Sequence, residues 1–239
     1  MTAPSGDAPL LVLVGSPLLG SLVWEPTASA LRGSGHDVLV APASGRTVLW
    51  SAQEACDDLL RAVPTDREVV LVVHSGAGLL APLVAAQRPV VGVIMVDASL
   101  PGDTGEHPMA PPALLERIAP LADDDGVLPE WTRWWSEQEV AALFPPGPVR
   151  WEVESVQPRV ALDYLRSTVV VPAGWSSRLP VAYLAFGDTY AEELARAENE
   201  GWPTARVDGR HLHQVVDPAL VAAQICELLE RLTPSGASG

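Results

Sequence analysis

The amino-acid sequence predicts an α/β fold with a mostly parallel central sheet, flanking helices and a helical cap insertion. Short runs of apolar, β-branched residues alternate with segments of helical periodicity, as expected for parallel strands joined by crossover helices. This alternation stops at residue 101 and resumes near residue 179, which indicates an insertion between two core strands. The length of 239 residues fits one such domain with its insertion.

Six apolar runs predict the strands of the sheet, and the segments between them predict its helices. The strands are predicted at residues 10–14, 37–41, 69–73, 90–96, 181–186 and 204–207. The helices are predicted at residues 26–32, 51–62, 78–86, 191–198 and 218–232. The last helix has an apolar stripe, with Asp217 suited to its N-cap and Pro218 to its first turn. Residues 233–239, T-P-S-G-A-S-G, are predicted to be a frayed tail.

Residues 101–178 are predicted to form a helical cap over the strand ends, with residues 1–100 and 179–239 as the core. Helices are expected at 113–121, 130–143 and 157–168. Trp134 and Trp135 are adjacent and cannot share a helix face, so at least one is expected to point toward the core or a ligand. Alternatively, the tryptophans fill the cap's own interior. Five of the eight tryptophans lie here: Trp131, Trp134, Trp135, Trp151 and Trp175.

Composition excludes several classes of partner. The net charge is −15 and the chain has no lysine, which disfavours nucleic acid and anionic membranes and removes lysine-based chemistry. No apolar run reaches the roughly 18–20 residues that span a bilayer, and the first residues lack a secretory pattern, so a cytoplasmic protein is expected. Arginine in place of lysine, with abundant Ala, Val, Gly and Pro, is typical of actinobacterial proteins. Cys56 and Cys226 are interpreted as small buried hydrophobes.

The segment 69–78, V-V-L-V-V-H-S-G-A-G, is the most informative stretch. It predicts a buried strand that bends sharply into a helix and lifts Ser75 above the edge of the sheet. The alternative is an ordinary strand end with Ser75 as a helix N-cap. His74 is expected to point away from Ser75 and to pack in the interior.

Five pieces of the chain, in this order and spacing, resemble the α/β-hydrolase superfamily, and most of all its small esterase-like members with a helical cap. The segment around Ser75 resembles the nucleophile elbow, G-x-S-x-G, with Val73 and Ala77 in place of the two glycines. The pieces are L-V-L-V-G-S-P-L-L-G-S-L-V-W-E-P (11–26), G-H-D-V-L-V-A-P (35–42), V-V-H-S-G-A-G (72–78), V-D-A-S-L-P-G (96–102) and D-G-R-H-L-H-Q-V-V-D-P (208–218).

The resemblance implies a nucleophile, a base and an acid in the order Ser, acid, His. Ser75 is the expected nucleophile and His211 the expected base, with His213 as the alternative. The common position of the acid, three residues past Gly187, holds Tyr190. Asp97, directly after the preceding strand, is therefore the first choice for the acid, and Asp188 is the second.

An acyl-transfer site also needs two N–H donors for the developing oxyanion. The resemblance implies the amide of Gly76 as one donor and the turn after the first strand as the source of the other. Pro17 has no N–H, which leaves Leu18 or Ser16. Alternatively, the Ser16 hydroxyl binds substrate. Trp134 and Trp135 are the candidate substrate contacts of the cap.

These features favour a serine hydrolase of an ester, thioester or lactone with an apolar or aromatic acyl part. Its partner is a small molecule, and neither a cofactor nor a metal is needed. One alternative is a non-hydrolytic catalyst of the same fold, such as a lyase, cyclase or acyl transferase of secondary metabolism. Another is a ligand-binding protein with a residual triad. The sequence leaves a homodimer open.

Overall fold

A computed structural model describes residues 8–232 of the chain. The first seven residues and the tail predicted at 233–239 lie outside the described residues. The strands, numbered along the chain, are β1 Leu10–Val14, β2 Val38–Val40, β3 Val48–Leu49, β4 Val69–Ser75, β5 Val90–Ala98, β6 Gly105–Pro108, β7 Arg159–Val160, β8 Thr168–Val171, β9 Val181–Phe186 and β10 Thr204–Val207.

The helices surround the main sheet and fill the insertion. Short 3₁₀ helices lie at Leu22–Trp24, Gly76–Leu79, Ala119–Leu121 and Trp131–Arg133. The α-helices are α1 Glu25–Gly33, α2 Ala52–Ala62, α3 Ala81–Ala85, α4 Pro112–Ile118, α5 Glu137–Ala141, α6 Val149–Ser155, α7 Leu162–Arg166, α8 Trp175–Arg178, α9 Ala191–Asn199, α10 His213–Val216 and α11 Pro218–Leu232.

Within residues 8–232, six strands form one sheet in the order β10-β9-β5-β4-β1-β2, and every neighbouring pair is parallel. All seven residues of β4 and all but one of β5 are buried. Alternate residues of these strands join two separate apolar clusters, one on each face of the sheet. Such burial on both faces explains why the central strands are continuous apolar runs. The predicted α/β fold is confirmed.

Helix α11 shows how local sequence sets an element's position. It begins at Pro218, and the Asp217 carboxylate accepts the N–H of Leu220 at 3.0 Å, as an N-cap does. Its apolar stripe, which includes Val221 and Ile225, packs against the sheet. The predicted start and end of this helix are confirmed.

The insertion departs from the predicted helices in two places. The helix predicted over 157–168 is wrong: the short strand β7 is followed by the five-residue helix α7. Pro158 lacks an N–H, and the backbone of Val160 instead bonds Leu128 across the insertion. The helix predicted over 130–143 is broken, because Ser136 forms a capping box that starts α5 anew.

Two small sheets add strands that the sequence did not predict. In the insertion β6 pairs with β8 in antiparallel fashion, whereas β7 pairs in parallel with β3, which precedes α2. The β3–β7 pair therefore joins the insertion to the core. Cys56 is buried as expected, but Cys226 is only partly buried and its thiol contacts the His36 ring nitrogen at 3.3 Å. Among the described residues, no helix is long and apolar enough to cross a bilayer.

Candidate active site

The backbone turns sharply at Ser75, where β4 ends. Ser75 has φ 59° and ψ −134°, a conformation that residues other than glycine rarely adopt. The following chain packs tightly against the end of β5, because a Cβ on Gly78 would lie 2.2 Å from the Ser99 carbonyl oxygen. Val73 is tolerated at the first motif position because it lies within the strand, paired with Met95 and buried in the core.

Three polar side chains meet at this turn. His211 Nε2 lies 3.1 Å from Ser75 Oγ, and His211 Nδ1 lies 2.7 Å from Asp97 Oδ2. A neutral imidazole with its proton on Nδ1 would donate to the carboxylate and accept the hydroxyl proton of Ser75. This is the geometry in which a base can activate a serine.

The carboxylate of Asp97 is held from several directions. Asp97 is fully buried next to the last residue of β5, with a positive φ of 42°. Its Oδ1 accepts the N–H of Phe186 at 2.9 Å, which leaves Oδ2 for His211. The hydroxyl of Tyr183 donates to the Ala98 carbonyl and accepts the Ala98 N–H, which fixes the strand end beside Asp97. Both oxygens of the Asp97 carboxylate thus have a partner, and one of them contacts the imidazole.

His74 contacts His211 through a hydrogen bond and a ring stack. Its Nε2 lies 2.9 Å from the His211 carbonyl oxygen, so this nitrogen carries the proton and donates. The two rings stack with centroids 4.6 Å apart. Complete burial, together with the neighbouring His211, holds the pKa of His74 well below its usual value of 6.5, so the ring is neutral. His74 lies in the interior, as the sequence suggested, and its ring contacts His211 directly.

The structure does not bring Asp188 or His213 to Ser75. Asp188 is exposed and pairs with Arg206 at 2.8 Å. His213 begins α10, and its ring lies against Phe186 and Gly209. The catalytic roles of Ser75, His211 and Asp97 remain proposals, which these distances support.

The candidate oxyanion donors are backbone amides that follow β4 and β1. Gly76 begins a 3₁₀ helix directly after Ser75, so its N–H stands at a helix N-terminus. In the turn after β1 the Leu18 N–H donates to the Ser16 hydroxyl at 3.2 Å. Because that contact occupies the Leu18 N–H, the geometry favours the Ser16 amide as the second donor. The buried Ser16 hydroxyl is engaged by the same contact.

The two tryptophans expected to contact substrate have different surroundings. Trp134 is buried and donates through Nε1 to the Pro129 carbonyl, so it packs inside the insertion. Trp135 lies against Trp131, and Arg117 covers its ring. Trp131 reaches furthest toward the site, with its ring centroid 6.2 Å from that of His211.

Sequence reasoning did not assign Trp131 or Tyr190 to the site. The Tyr190 hydroxyl lies 3.5 Å from Ser75 Oγ, and its ring lies 5.6 Å from the His211 ring. A signal existed for Tyr190, since it occupies the position where the superfamily commonly carries its acid. For Trp131 only the abundance of tryptophan in the insertion pointed this way.

A small cavity opens beside the turn after β1. Its volume is about 50 Å³, below the roughly 300–1,000 Å³ of ligand pockets. Gly15, Ser16 and Leu80 line it on the side of the site, and Pro158 lines it from the insertion. Among residues 8–232, no group of three or more His, Cys, Asp or Glu side chains is suited to hold a metal ion.

The parallel sheet, the sharp turn at Ser75 and the histidine that follows β10 together define an α/β-hydrolase fold. The sequence profile of the alpha/beta hydrolase family matches residues 10–224 of the chain. The protein therefore belongs to this family. A search of curated proteins found no match.

Solved structures agree with this assignment. One is an extracellular alpha/beta-hydrolase from a Paenibacillus species, described as sharing structural and functional homology with tobacco salicylic acid binding protein 2. It is 16% identical with a TM-score of 0.67, and the match covers 95% of this chain and 100% of the other. Tomato methylketone synthase I with 2-tridecanone is 14% identical with a TM-score of 0.71, covering 94% and 99%. A methylesterase from Arabidopsis is 13% identical with a TM-score of 0.67, covering 94% and 100%. At these identities the likeness shows the fold alone.

Proposed function

We propose that the protein is a serine hydrolase that cleaves an ester, thioester or lactone with an apolar or aromatic acyl part. The observation that carries the proposal is the continuous contact from Asp97 through His211 to Ser75, with heavy-atom distances of 2.7 Å and 3.1 Å. Both distances lie within hydrogen-bond reach, and the second lets the proton of Ser75 pass to His211. Membership of the alpha/beta hydrolase family, and neighbours that include esterases, support it further.

In the proposed reaction Ser75 Oγ attacks the acyl carbon while its proton passes to His211 Nε2. The tetrahedral intermediate places its negative oxygen near the amides of Gly76 and Ser16. The bond to the leaving group then breaks, and His211 returns its proton to the departing oxygen or sulfur. Water, activated by His211 in the same way, releases the acyl group, while Asp97 holds the imidazole in the required tautomer throughout.

The preference for an apolar acyl part rests on the aromatic side chains near the base. The ring centroids of Trp131 and Tyr190 lie 6.2 Å and 5.6 Å from that of His211, and Trp135 packs against Trp131. Such rings favour apolar or aromatic groups. The net charge of −15 disfavours strongly anionic substrates through long-range repulsion.

A non-hydrolytic reaction is the second candidate, and the turn after β1 favours it. The contact between the Leu18 N–H and the Ser16 hydroxyl uses one of the two amides from which the turn could supply an oxyanion donor. A lyase or cyclase that uses mainly His211 depends less on that donor, whereas an acyl transferase needs it as a hydrolase does. A ligand-binding protein with a residual triad is the remaining alternative, and the location, oligomeric state and metabolic role stay predictions.

Labelling with a fluorophosphonate tests the proposal. The probe should modify Ser75, as located by peptide mass spectrometry, and should block hydrolysis of p-nitrophenyl phenylacetate. Ser75→Ala should abolish labelling and lower kcat by roughly 10³-fold or more. Ser177→Ala is the matched control, because Ser177 is exposed on α8 and its hydroxyl only contacts the Gly174 carbonyl. An unlabelled wild-type protein refutes the hydrolase, and a reaction that persists in Ser75→Ala indicates chemistry through His211.

A further inference from the structure

Tyr190 places a phenol beside the proposed nucleophile. It precedes α9 in the loop after β9, and its hydroxyl lies 3.5 Å from Ser75 Oγ. This distance exceeds the roughly 2.5–3.0 Å of a good O–H···O hydrogen bond, so the phenol is not fixed on Ser75. The phenol is therefore available to a substrate oxygen that arrives at Ser75.

The order of the strands indicates whether the phenol faces the carbonyl oxygen or the leaving-group oxygen of the substrate. In the sheet β4 lies between β1 on one side and β5, β9 and β10 on the other. The oxyanion donors come from Gly76 and the turn after β1, so the carbonyl oxygen faces the β1 side. Tyr190 follows β9 and His211 follows β10, and their rings are 5.6 Å apart. The phenol thus stands next to the base, on the side where the leaving group must receive its proton.

The phenol keeps its proton under ordinary conditions. Burial, with the nearby carboxylates of Asp97 and Glu193 adding to it, raises the pKa of Tyr190 above its usual value of 10.0. A protonated phenol is a hydrogen-bond donor, which is the group that stabilises an alkoxide as it departs. Tyr190 occupies the position where the superfamily commonly carries its acid. Because Asp97 is the proposed acid here, that position is free for another role.

We propose that Tyr190 is a catalytic residue that donates a hydrogen bond to the leaving-group oxygen, and that it suits the enzyme to esters of aliphatic alcohols. The proposal rests on the hydrolase function proposed above. As the bond between acyl carbon and alcohol oxygen breaks, its electron pair goes to that oxygen, the proton of His211 Nε2 moves to it, and Tyr190 donates without losing its own proton. An aryl ester needs little of this help, because a nitrophenolate leaves readily without protonation.

The test compares two esters of one acid, p-nitrophenyl phenylacetate and ethyl phenylacetate, in the wild type and in Tyr190→Phe. We expect kcat/KM for the ethyl ester to fall about 10- to 100-fold, as for a lost hydrogen bond to a charged group, and that for the aryl ester to fall less than about threefold. The rate of fluorophosphonate labelling should also stay within about threefold, because fluoride leaves without a proton. That labelling shows in addition that the variant is folded.

A matched control is Tyr164→Phe, which removes the phenol of a buried tyrosine on α7 of the insertion. It should affect the two esters equally. Equal losses for both esters in Tyr190→Phe, no loss for either, or a loss of labelling would each overturn the role in leaving-group departure. These results differ from failure of the hydrolase proposal, in which the wild type itself is neither labelled nor active, a result that overturns both.

Discussion

Replacing Asp97 by asparagine is the sharpest test of how the site is assembled. The Phe186 N–H points at Oδ1 from 2.9 Å and requires an acceptor there. The asparagine must therefore place its carbonyl oxygen toward Phe186 and its NH₂ group toward His211 Nδ1. Two donors cannot face each other, so the imidazole moves its proton to Nε2 and can no longer accept from Ser75.

We expect Asp97→Asn to lower kcat by roughly 10³- to 10⁴-fold, the size of effect that a wrong tautomer has in a Ser-His-Asp site. This corresponds to about 4–5.5 kcal/mol of transition-state stabilisation. The assay is steady-state hydrolysis of p-nitrophenyl phenylacetate, with circular dichroism as a check on folding. Asp188→Asn is the control, and the exposed position of Asp188 predicts a change of less than about twofold. An Asp97→Asn variant with a tenth of wild-type kcat, or a comparable loss in Asp188→Asn, would contradict the reasoning.

Two further predictions concern the residues that hold the site. Tyr183→Phe leaves the buried N–H and carbonyl of Ala98 without their hydroxyl partner. We therefore expect the free energy of unfolding, measured in urea, to fall by about 2–4 kcal/mol. A fall of less than about 0.5 kcal/mol would contradict this. His74 is neutral when folded but binds a proton when unfolded below about pH 6.5, so stability should decrease as pH falls from there, by up to about 1.4 kcal/mol per pH unit. His74→Gln should flatten this dependence between about pH 5 and pH 7, and an unchanged slope would refute it.

The central sheet and its elbow could be predicted because their determinants are local. The strands β4 and β5 are buried on both faces, so their sequences are apolar throughout and end where polar residues begin. The carboxyl ends of neighbouring parallel strands share one edge, which is why Ser75 and Asp97 could be expected near each other. Gly187 has φ 62°, and the exposed carboxylate of Asp188 after it pairs with Arg206; no local pattern in the sequence reports either feature.

The insertion was harder to predict, because its elements are short and are stabilised by contacts distant in sequence. The strand β7 exists through its pairing with β3, more than a hundred residues earlier. Trp131, whose ring centroid is 6.2 Å from that of His211, lies in a 3₁₀ turn that ends before Ser136 starts a new helix. The contact of Tyr190 with Ser75 joins residues 115 positions apart in the chain, on either side of the insertion. No periodicity in the sequence reports such contacts.

Two residues of the site, Ser75 and Asp97, have positive φ values of 59° and 42°. Backbone strain of this kind costs of order 1–3 kcal/mol at each position, whereas a whole domain is stable by only about 5–15 kcal/mol. Strain at these two positions, both needed by the proposed reaction, thus lowers the free energy of unfolding by a sizeable part of its total. Any destabilising substitution in the domain therefore acts on a free energy of unfolding that the site has already lowered.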